Sequence, residues 1–202
     1  MGSRHCGRIC EIRAVYSTDT VRVYQAYNHA IADAAIAAQA FVAPWSNSRM
    51  TWVKPSFVWM GYRCGWASKD ANQARVLAVD LHRGAFDEML RGTIPVAAQP
   101  PRSAWAAGSC DDIVVQWDPE RALGGACGRE GRTHQISGVR SLQMGVRGTT
   151  ADRYGRESIA MITDVTELFR SVGELLECDD IVGATSLLQT EAIYPLPAGC
   201  VI

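Results

Sequence analysis

The 202-residue sequence contains little lysine: Lys54 and Lys69 stand against 18 arginines. It has no apolar run close to the roughly 18–20 residues that a membrane helix needs. Residues 1–13 contain arginines but no apolar segment of the kind found in secretory signals. We therefore expect a cytoplasmic protein without a membrane partner.

Several motifs that identify enzyme classes are also missing. The sequence has neither G-x-x-x-x-G-K-[ST] nor G-x-G-x-x-G, and it has no G-x-S-x-G elbow. The seven cysteines are an odd number without a repeated spacing, which argues against a disulfide framework. His5, Cys6 and Cys10 lack a second ligand pair at zinc-finger spacing, so no metal is predicted.

The composition is that of a globular protein, with 48% hydrophobic and 20% charged residues. Its charge is uneven: residues 1–156 carry 19 Lys+Arg and 13 Asp+Glu, whereas residues 157–202 carry one arginine and eight acidic residues. A basic body suits an anionic ligand. A solvated surface with an accidental asymmetry explains the numbers equally well.

Residue patterns predict one α+β domain at 12–178, preceded by a flexible arm at 1–11 and followed by a weakly patterned acidic tail at 179–202. The predicted strands are 10–16, 21–27, 50–54, 75–81, 113–117, 139–146 and 159–163. The predicted helices are 29–41, 56–66, 84–91, 149–157 and 164–177. An Asp118–Pro119 turn is expected after 113–117, and the Gly-rich segment 122–138 is expected to be mobile. This order predicts a small mixed or antiparallel split sheet with flanking helices.

A segment rich in tryptophan contains the most unusual chemistry. Tryptophan recurs every seven residues, at Trp45, Trp52, Trp59 and Trp66. Pro55 excludes one continuous helix through all four positions. Lys54 and Arg63 flank the rings, and cations beside aromatic rings suit a ligand with a phosphate and a flat base. The alternative is a tryptophan-rich core with cations that extend to solvent.

Two further groups of polar residues lie inside predicted strands. The first contains Arg22, Tyr24 and Gln25, and the second contains Arg140, Ser141 and Gln143. Arg22 in an apolar strand needs a partner. That partner is either a bound phosphate or a carboxylate such as Asp80 in another strand. Together the groups suggest a cleft shared with Lys54.

Lys54 directly precedes Pro55, which favours an extended conformation at a strand end. The helix predicted from Ser56 would present free N–H groups that favour an anion. An ammonium beside a helix N-terminus is unfavourable unless an anion lies between them. We therefore predict that Lys54 serves a bound phosphate or carboxylate rather than the fold.

Several segments together resemble a known family. They are VRVYQAY, FVAPWSNSRMTWVKPSFVWMGYRCGWASK, RVLAVDL, VQWDPER, RSLQMGVRG and ITDVTELFR. They are similar to the bacterial and fungal family called domain of unknown function 4291, from about Ile12 to Val172. The family name implies no activity.

The order of elements also looks like the split sheet of ADP-ribosyltransferases and their RNA phosphotransferase relatives, a likeness of fold only. In those proteins an Arg or His on the first strand grips NAD. Val23 stands where they carry a glycine after that residue. Glu120 and Glu167 are candidates for their catalytic glutamate by residue type alone.

These observations lead to three hypotheses. The first is an enzyme, a transferase whose substrate or cofactor is NAD or another nucleotide. Arg22, Lys54 and Arg140 would hold phosphate, Tyr24 and Trp52 would stack on the base or nicotinamide, and Ser56 and Gln143 would orient the substrate. Three further residues are ligand-binding candidates: Gln25, Arg63 and Ser141. Tyr24, Gln143 and Glu120 are the candidate catalytic residues. The second is a nucleic-acid-binding module. The third is a non-catalytic accessory protein of a bacterial pathway. We rank the enzyme first because the basic excess is small for a nucleic-acid binder.

Overall fold

The computed structural model describes residues 3–5, 8–94, 99, 113–124 and 132–200. The strands are β1 Ser3–His5, β2 Arg8–Glu11, β3 Arg13–Ala14, β4 Thr20–Tyr27, β5 Thr51–Val53, β6 Arg75–His82, β7 Val114–Leu123, β8 Thr133–Val146, β9 Ile159–Asp164 and β10 Ala192–Ile193. The helices are α1 His29–Ala38, α2 Phe57–Cys64, α3 Arg83–Arg91, α4 Gly148–Glu157, α5 Thr166–Glu177 and α6 Ile181–Ser186, with a 3₁₀ turn at Ala71–Gln73. The chain is therefore a single α+β domain, as the sequence predicts.

The strands form two main sheets that meet beside Lys54. In the larger sheet, β8 pairs with β7 on one edge and with β2 and β5 on the other, and β1 extends it beyond β2. The smaller sheet is antiparallel, in the order β4-β6-β9, and β3 pairs separately with β10. The Tyr24 N–H donates a 2.7 Å hydrogen bond to the Lys54 carbonyl, which joins the end of β5 to the middle of β4.

Two apolar clusters fill the space around these sheets. One contains inward-facing residues of both main sheets, including Val23, Val79 and Met144. The other lies under α2 and α5, where Phe57 and Phe169 stack with ring centroids 4.1 Å apart. Burial of these side chains supplies the main stabilisation of the fold.

Helix α2 tolerates a glycine in its middle because a tryptophan ring needs the space. A Cβ atom added to Gly61 would lie 2.3 Å from the Trp66 ring. Gly65 ends the helix in the left-handed conformation, with φ of 58°. The chain then folds Trp66 back over α2, so Trp66 is buried, as is Trp59.

Three regions differ from the prediction. Residues 1–11, expected as an arm, contain β1 and β2, and β2 pairs in parallel with β8. No turn forms at Asp118–Pro119, because β7 continues through both residues and accommodates the proline at a register shift before Arg121. The predicted tail contains α6 and β10. Of the predicted mobile segment 122–138, residues 122–123 and 133–138 are strand, and 125–131 lie outside the described residues.

No helix in the described part of the chain is long and apolar enough to cross a membrane.

Candidate functional site

Lys54 is a buried amine at the junction of the two sheets. It follows β5, and only 7% of the residue is exposed. Its Nζ atom lies 5.3 Å from the centroid of the Trp59 ring, within the range of a cation–π contact. The ammonium forms no hydrogen bond or ion pair with another described residue. Burial, together with the nearby charge of Arg63, lowers the pKa of Lys54 to about 7.

Two cavities meet at this amine. One has a volume of about 440 Å³ and lies between β4, β5, α2 and the loop after α1. The other, of about 450 Å³, lies between α2 and the strands β7 and β8. Trp52, Lys54 and Arg63 line both cavities. The two spaces therefore form one candidate site, with an aromatic ring and two cations in their common wall.

The first cavity favours an anion. Arg49, Lys54 and Arg63 line it, and no aspartate or glutamate is present among its described lining residues. Arg49 and Arg63 are exposed. An anion bound there would meet positive charge from a loop, from the end of β5 and from α2.

The second cavity has a polar wall built by two strands. Gln116 of β7 lies directly opposite Gln143 of β8 in the sheet. The side-chain amide of Gln116 donates to Asp118 Oδ1 at 2.6 Å, and that of Gln143 donates to Asp118 Oδ2 at 3.3 Å. All three side chains line the cavity, so the two amides hold the Asp118 carboxylate in a fixed orientation.

A second hydrogen-bonded pair supports the strand that carries Trp52. Gln25 is only 3% exposed. Its amide nitrogen donates to the Trp52 carbonyl at 3.2 Å, and its oxygen accepts a 2.6 Å hydrogen bond from the Tyr154 hydroxyl. Gln25 also lines the first cavity. Gln25 therefore holds the backbone of β5 in place beside the first cavity, and its contact with a ligand stays a prediction.

Behind Lys54, the start of α2 is occupied by acidic side chains of the protein itself. The Phe57 N–H donates to Glu191 Oε1 at 2.6 Å, and the Ser56 hydroxyl accepts from the Trp59 N–H. The Ser56 hydroxyl also donates to Glu120 Oε1 at 2.9 Å. At this helix end the Glu191 side chain occupies the place where a bound anion was expected, and it comes from the segment predicted to be a weakly patterned tail.

The two carboxylates at this position interact unfavourably. Burial is the main reason that the pKa of Glu191 is raised to about 8. The hydrogen bond from the Phe57 N–H opposes this rise, and the charge of Glu120 adds to it. Glu120 is 1% exposed, and its Oε2 atom has no hydrogen-bond partner in the described structure. Ser56 and Glu120 line neither cavity, so the structure does not bring them to the ligand space predicted for them.

Arg22 forms the ion pair with Asp80 that was predicted as the alternative to phosphate binding. Its guanidinium donates to both oxygens of Asp80, at 2.8 Å and 2.7 Å. A third nitrogen donates to Gln189 Oε1 at 2.7 Å. The two residues face each other on β4 and β6, so neighbouring strands satisfy the charge. Arg22 lines neither cavity.

The remaining predicted residues also lie outside the cavity walls. Tyr24, a predicted catalytic residue, is 2% exposed and makes edge contacts with Phe57 and Phe169 in the apolar cluster under α2. Arg140 lies opposite Cys10 and Pro119, and Ser141 opposite Asp118 and Glu11. Neither lines either cavity, so the predicted cleft shared by Arg22, Lys54 and Arg140 is reduced to Lys54.

Sequence reasoning missed three residues that shape this region: Gln116, Asp118 and Glu191. A signal existed for two of them, because the Gln-x-Asp spacing of Gln116 and Asp118 places both side chains on one face of a strand. The expected turn at Asp118 concealed it. No local pattern marks Glu191, which reaches α2 only through the fold.

A family model described as Domain of unknown function (DUF4291) matches residues 11–194. The chain therefore belongs to this family. No curated protein and no solved structure gives a significant match.

Proposed function

We propose that this member of the DUF4291 family is an enzyme that binds a ligand with a phosphate and a flat aromatic ring, a nucleotide or an NAD-like molecule, between Trp52, Lys54 and Arg63. One observation carries the proposal: these three residues line both cavities, so cations and a large ring border the same space. Aromatic faces and cations together suit a ligand of this composition.

The size and charge of the site support the proposal. Volumes of about 440 and 450 Å³ fall within the range of small-molecule sites in proteins. Arg49 and Arg63 would hold the phosphate in the first cavity, and Lys54 would face the ligand from the wall that the two cavities share. Trp52, on the shared wall, would contact the ring. The carboxylate of Asp118 in the second cavity would accept or donate a proton during group transfer.

Arg22 is not part of the proposed site, because Asp80 already neutralises its charge. Phosphate binding by a first-strand arginine, which the likeness to ADP-ribosyltransferases implies, would require that ion pair to open. The cations around Lys54 need no such rearrangement, since Arg49 and Arg63 are exposed and form no ion pair with another described residue.

A thermal-shift series would test this proposal. AMP, ATP, NAD, adenosine and inorganic phosphate would be compared on the wild type, on Arg63→Gln and on Arg153→Gln as a control. Arg153 is an exposed cation outside both cavities. A nucleotide at 100 times its Kd would add about 2.7 kcal/mol to stability. We expect this shift in the wild type and in Arg153→Gln, and a much smaller one in Arg63→Gln.

Two results would count against the proposal. No shift with any of the nucleotides would remove the ligand class. An equal shift in Arg63→Gln would place the binding site elsewhere. Stabilisation by single-stranded oligonucleotides but not by mononucleotides would favour the nucleic-acid-binding alternative.

A further inference from the structure

The chemical setting of Lys54 differs from that of an ordinary surface lysine in three ways. The amine is buried, it lines two cavities, and it forms no hydrogen bond or ion pair with another described residue. A structural buried lysine would normally have a carboxylate partner. Among the described residues, the contact with Trp59 and the attraction of the Asp118 charge offset part of the cost of burying this amine, and neither is a hydrogen bond or an ion pair.

The charged groups around Lys54 favour an unprotonated amine. Arg63 and Cys64 approach from α2, Asp118 from β7, and Arg49 lines the first cavity. Burial and the charge of Arg63 lower the pKa of Lys54 to about 7, against the weaker opposing effect of Asp118. A lysine that is desolvated or placed beside another cation is a nucleophile at neutral pH.

We infer that Lys54 is a covalent nucleophile that forms an imine with a carbonyl compound carrying a phosphate group. In this step the amine lone pair attacks the carbonyl carbon, and a proton moves from nitrogen to the carbonyl oxygen to give a carbinolamine. The carbinolamine hydroxyl then takes up a second proton and leaves as water while the nitrogen lone pair forms the C=N bond. The resulting iminium gives its remaining N–H proton back to the proton carrier, so no net proton is consumed. Asp118, held by Gln116 and Gln143, is the carboxylate of the second cavity that can carry the proton.

The inference deepens the proposed function and rests on it, since it uses the same cation-lined cavity to hold the phosphate. Arg49 and Arg63 would bind the phosphate in the first cavity, and the Lys54 amine in the common wall would meet the carbonyl. The Trp59 ring covers one side of the amine, with the Lys54 Nζ atom 5.3 Å from the ring centroid.

The scarcity of lysine makes a direct experiment possible. Lys54 and Lys69 are the two lysines of the chain, and Lys69 is exposed and lines neither cavity. The full chain would be treated with pyridoxal 5′-phosphate or with pyridoxal, each with cyanoborohydride to reduce any imine to a stable secondary amine. Peptide mass spectrometry would then give the rate of labelling at each lysine as a function of pH.

We expect Lys54 to be labelled at least about tenfold faster than Lys69 at pH 7.5, because an ordinary lysine is almost fully protonated there. Pyridoxal 5′-phosphate should label Lys54 faster than pyridoxal does. Arg63→Gln should reduce this preference for the phosphorylated aldehyde. It should also move the pH midpoint of Lys54 labelling upward, since a positive charge that favours the neutral amine is removed.

The comparison within one molecule needs no variant at Lys54, so a folding defect cannot obscure it. Equal labelling of Lys54 and Lys69 at pH 7.5, or labelling of Lys54 only above about pH 10, the range of an ordinary lysine, would overturn the inference. Equal rates with pyridoxal and its phosphate would remove the phosphate requirement and with it the inference as stated. If nucleotides stabilise the protein but no imine is trapped at Lys54, the proposed function stands and the imine inference fails. If an imine is trapped but no nucleotide stabilises the protein, nucleotides are rejected as the ligand and the reactivity of Lys54 stands.

Discussion

Arg22 on β4 and Lys54 after β5 are two basic side chains with opposite surroundings. Arg22 donates three hydrogen bonds, two to Asp80 and one to Gln189. Lys54 is more deeply buried, but it has the face of Trp59 and the charge of Asp118 in place of a hydrogen-bond or ion-pair partner among the described residues. The fold therefore satisfies the first charge more completely than the second. Unsatisfied buried charge is the better indicator of a functional site.

The largest expected effect comes from breaking the satisfied pair. Arg22→Met should lower the free energy of unfolding by about 3 kcal/mol, since it leaves Asp80 buried without its counter-charge. Urea denaturation would measure the change. Arg153→Met is the matched control, because its two ion pairs are long and exposed, and it should change stability by less than about 0.5 kcal/mol. A loss below about 1 kcal/mol in Arg22→Met would show that the satisfied charge contributes little.

Removal of the unsatisfied charge should have the opposite sign. Lys54→Met is expected to raise stability by about 1 kcal/mol at pH 6, because it replaces a buried ammonium without a hydrogen-bond partner by an apolar chain of similar length. Ligand binding should be lost in the same variant. A destabilisation comparable to that of Arg22→Met would mean that Lys54 supports the fold.

The pH dependence of this difference follows from the pKa of Lys54. The folded pKa is about 7 and the ordinary value is 10.5, so the unfolded chain binds more protons between these limits. Wild-type stability should therefore gain from this residue as pH rises through that window, by at most about 1.4 kcal/mol per pH unit. Urea denaturation at pH 6, 8 and 9.5 should show that the free energy of unfolding of Lys54→Met exceeds that of the wild type by less as the pH rises. A constant difference across this range would contradict the lowered pKa.

The smallest expected effect concerns Glu191, where the titration runs in the other direction. Its folded pKa is about 8 against an ordinary 4.5, so the folded chain binds more protons in this window and stability falls as pH rises through it. Glu191→Gln keeps an acceptor for the Phe57 N–H and removes the repulsion from Glu120. We expect the free energy of unfolding of Glu191→Gln to exceed that of the wild type by about 0.5–1 kcal/mol above pH 8, because the charge repulsion in this partly buried site is modest. Below pH 4.5 we expect no difference. Thermal unfolding at pH 5 and pH 8.5 would measure it, and a loss of stability at pH 8.5 would show that the negative charge at α2 is needed.

Local patterns predicted most elements but not how they meet. The helix predicted at 56–66 is Phe57–Cys64 with Ser56 as its cap, and the strand predicted at 75–81 is Arg75–His82. The turn predicted at Asp118–Pro119 is wrong, because β7 continues through both residues. The pairing of β7 with β8 shifts register after Pro119, and this shift lets the proline remain in the strand. Pattern reasoning also failed after residue 179, where pairing of β10 with β3 fixes a chain of weak local preference.

The candidate site shows the same division. Lys54, Trp52 and Arg63 could be found from the sequence because their residue types are unusual and close together in one segment. Arg22 and Arg140 could not be separated from them, since the sequence does not show which strand lies beside which. The pairing of β4 with β6 gives Arg22 its partner Asp80, and the pairing of β7 with β8 brings Gln116 and Gln143 to Asp118.

The sequence by itself determined the α+β class, the family, the helix after Pro55 and the cluster of tryptophans and cations around Lys54. Those features depend on residue type and on spacing over a few positions, which short-range sterics and periodicity control. Only the tertiary structure decided that Arg22 is neutralised, that Glu191 occupies the start of α2 and that Lys54 remains without a hydrogen-bond or ion-pair partner among the described residues. Each of these depends on contacts between residues far apart in the chain, and the free energy of a charge depends on the partners and the burial that such contacts provide.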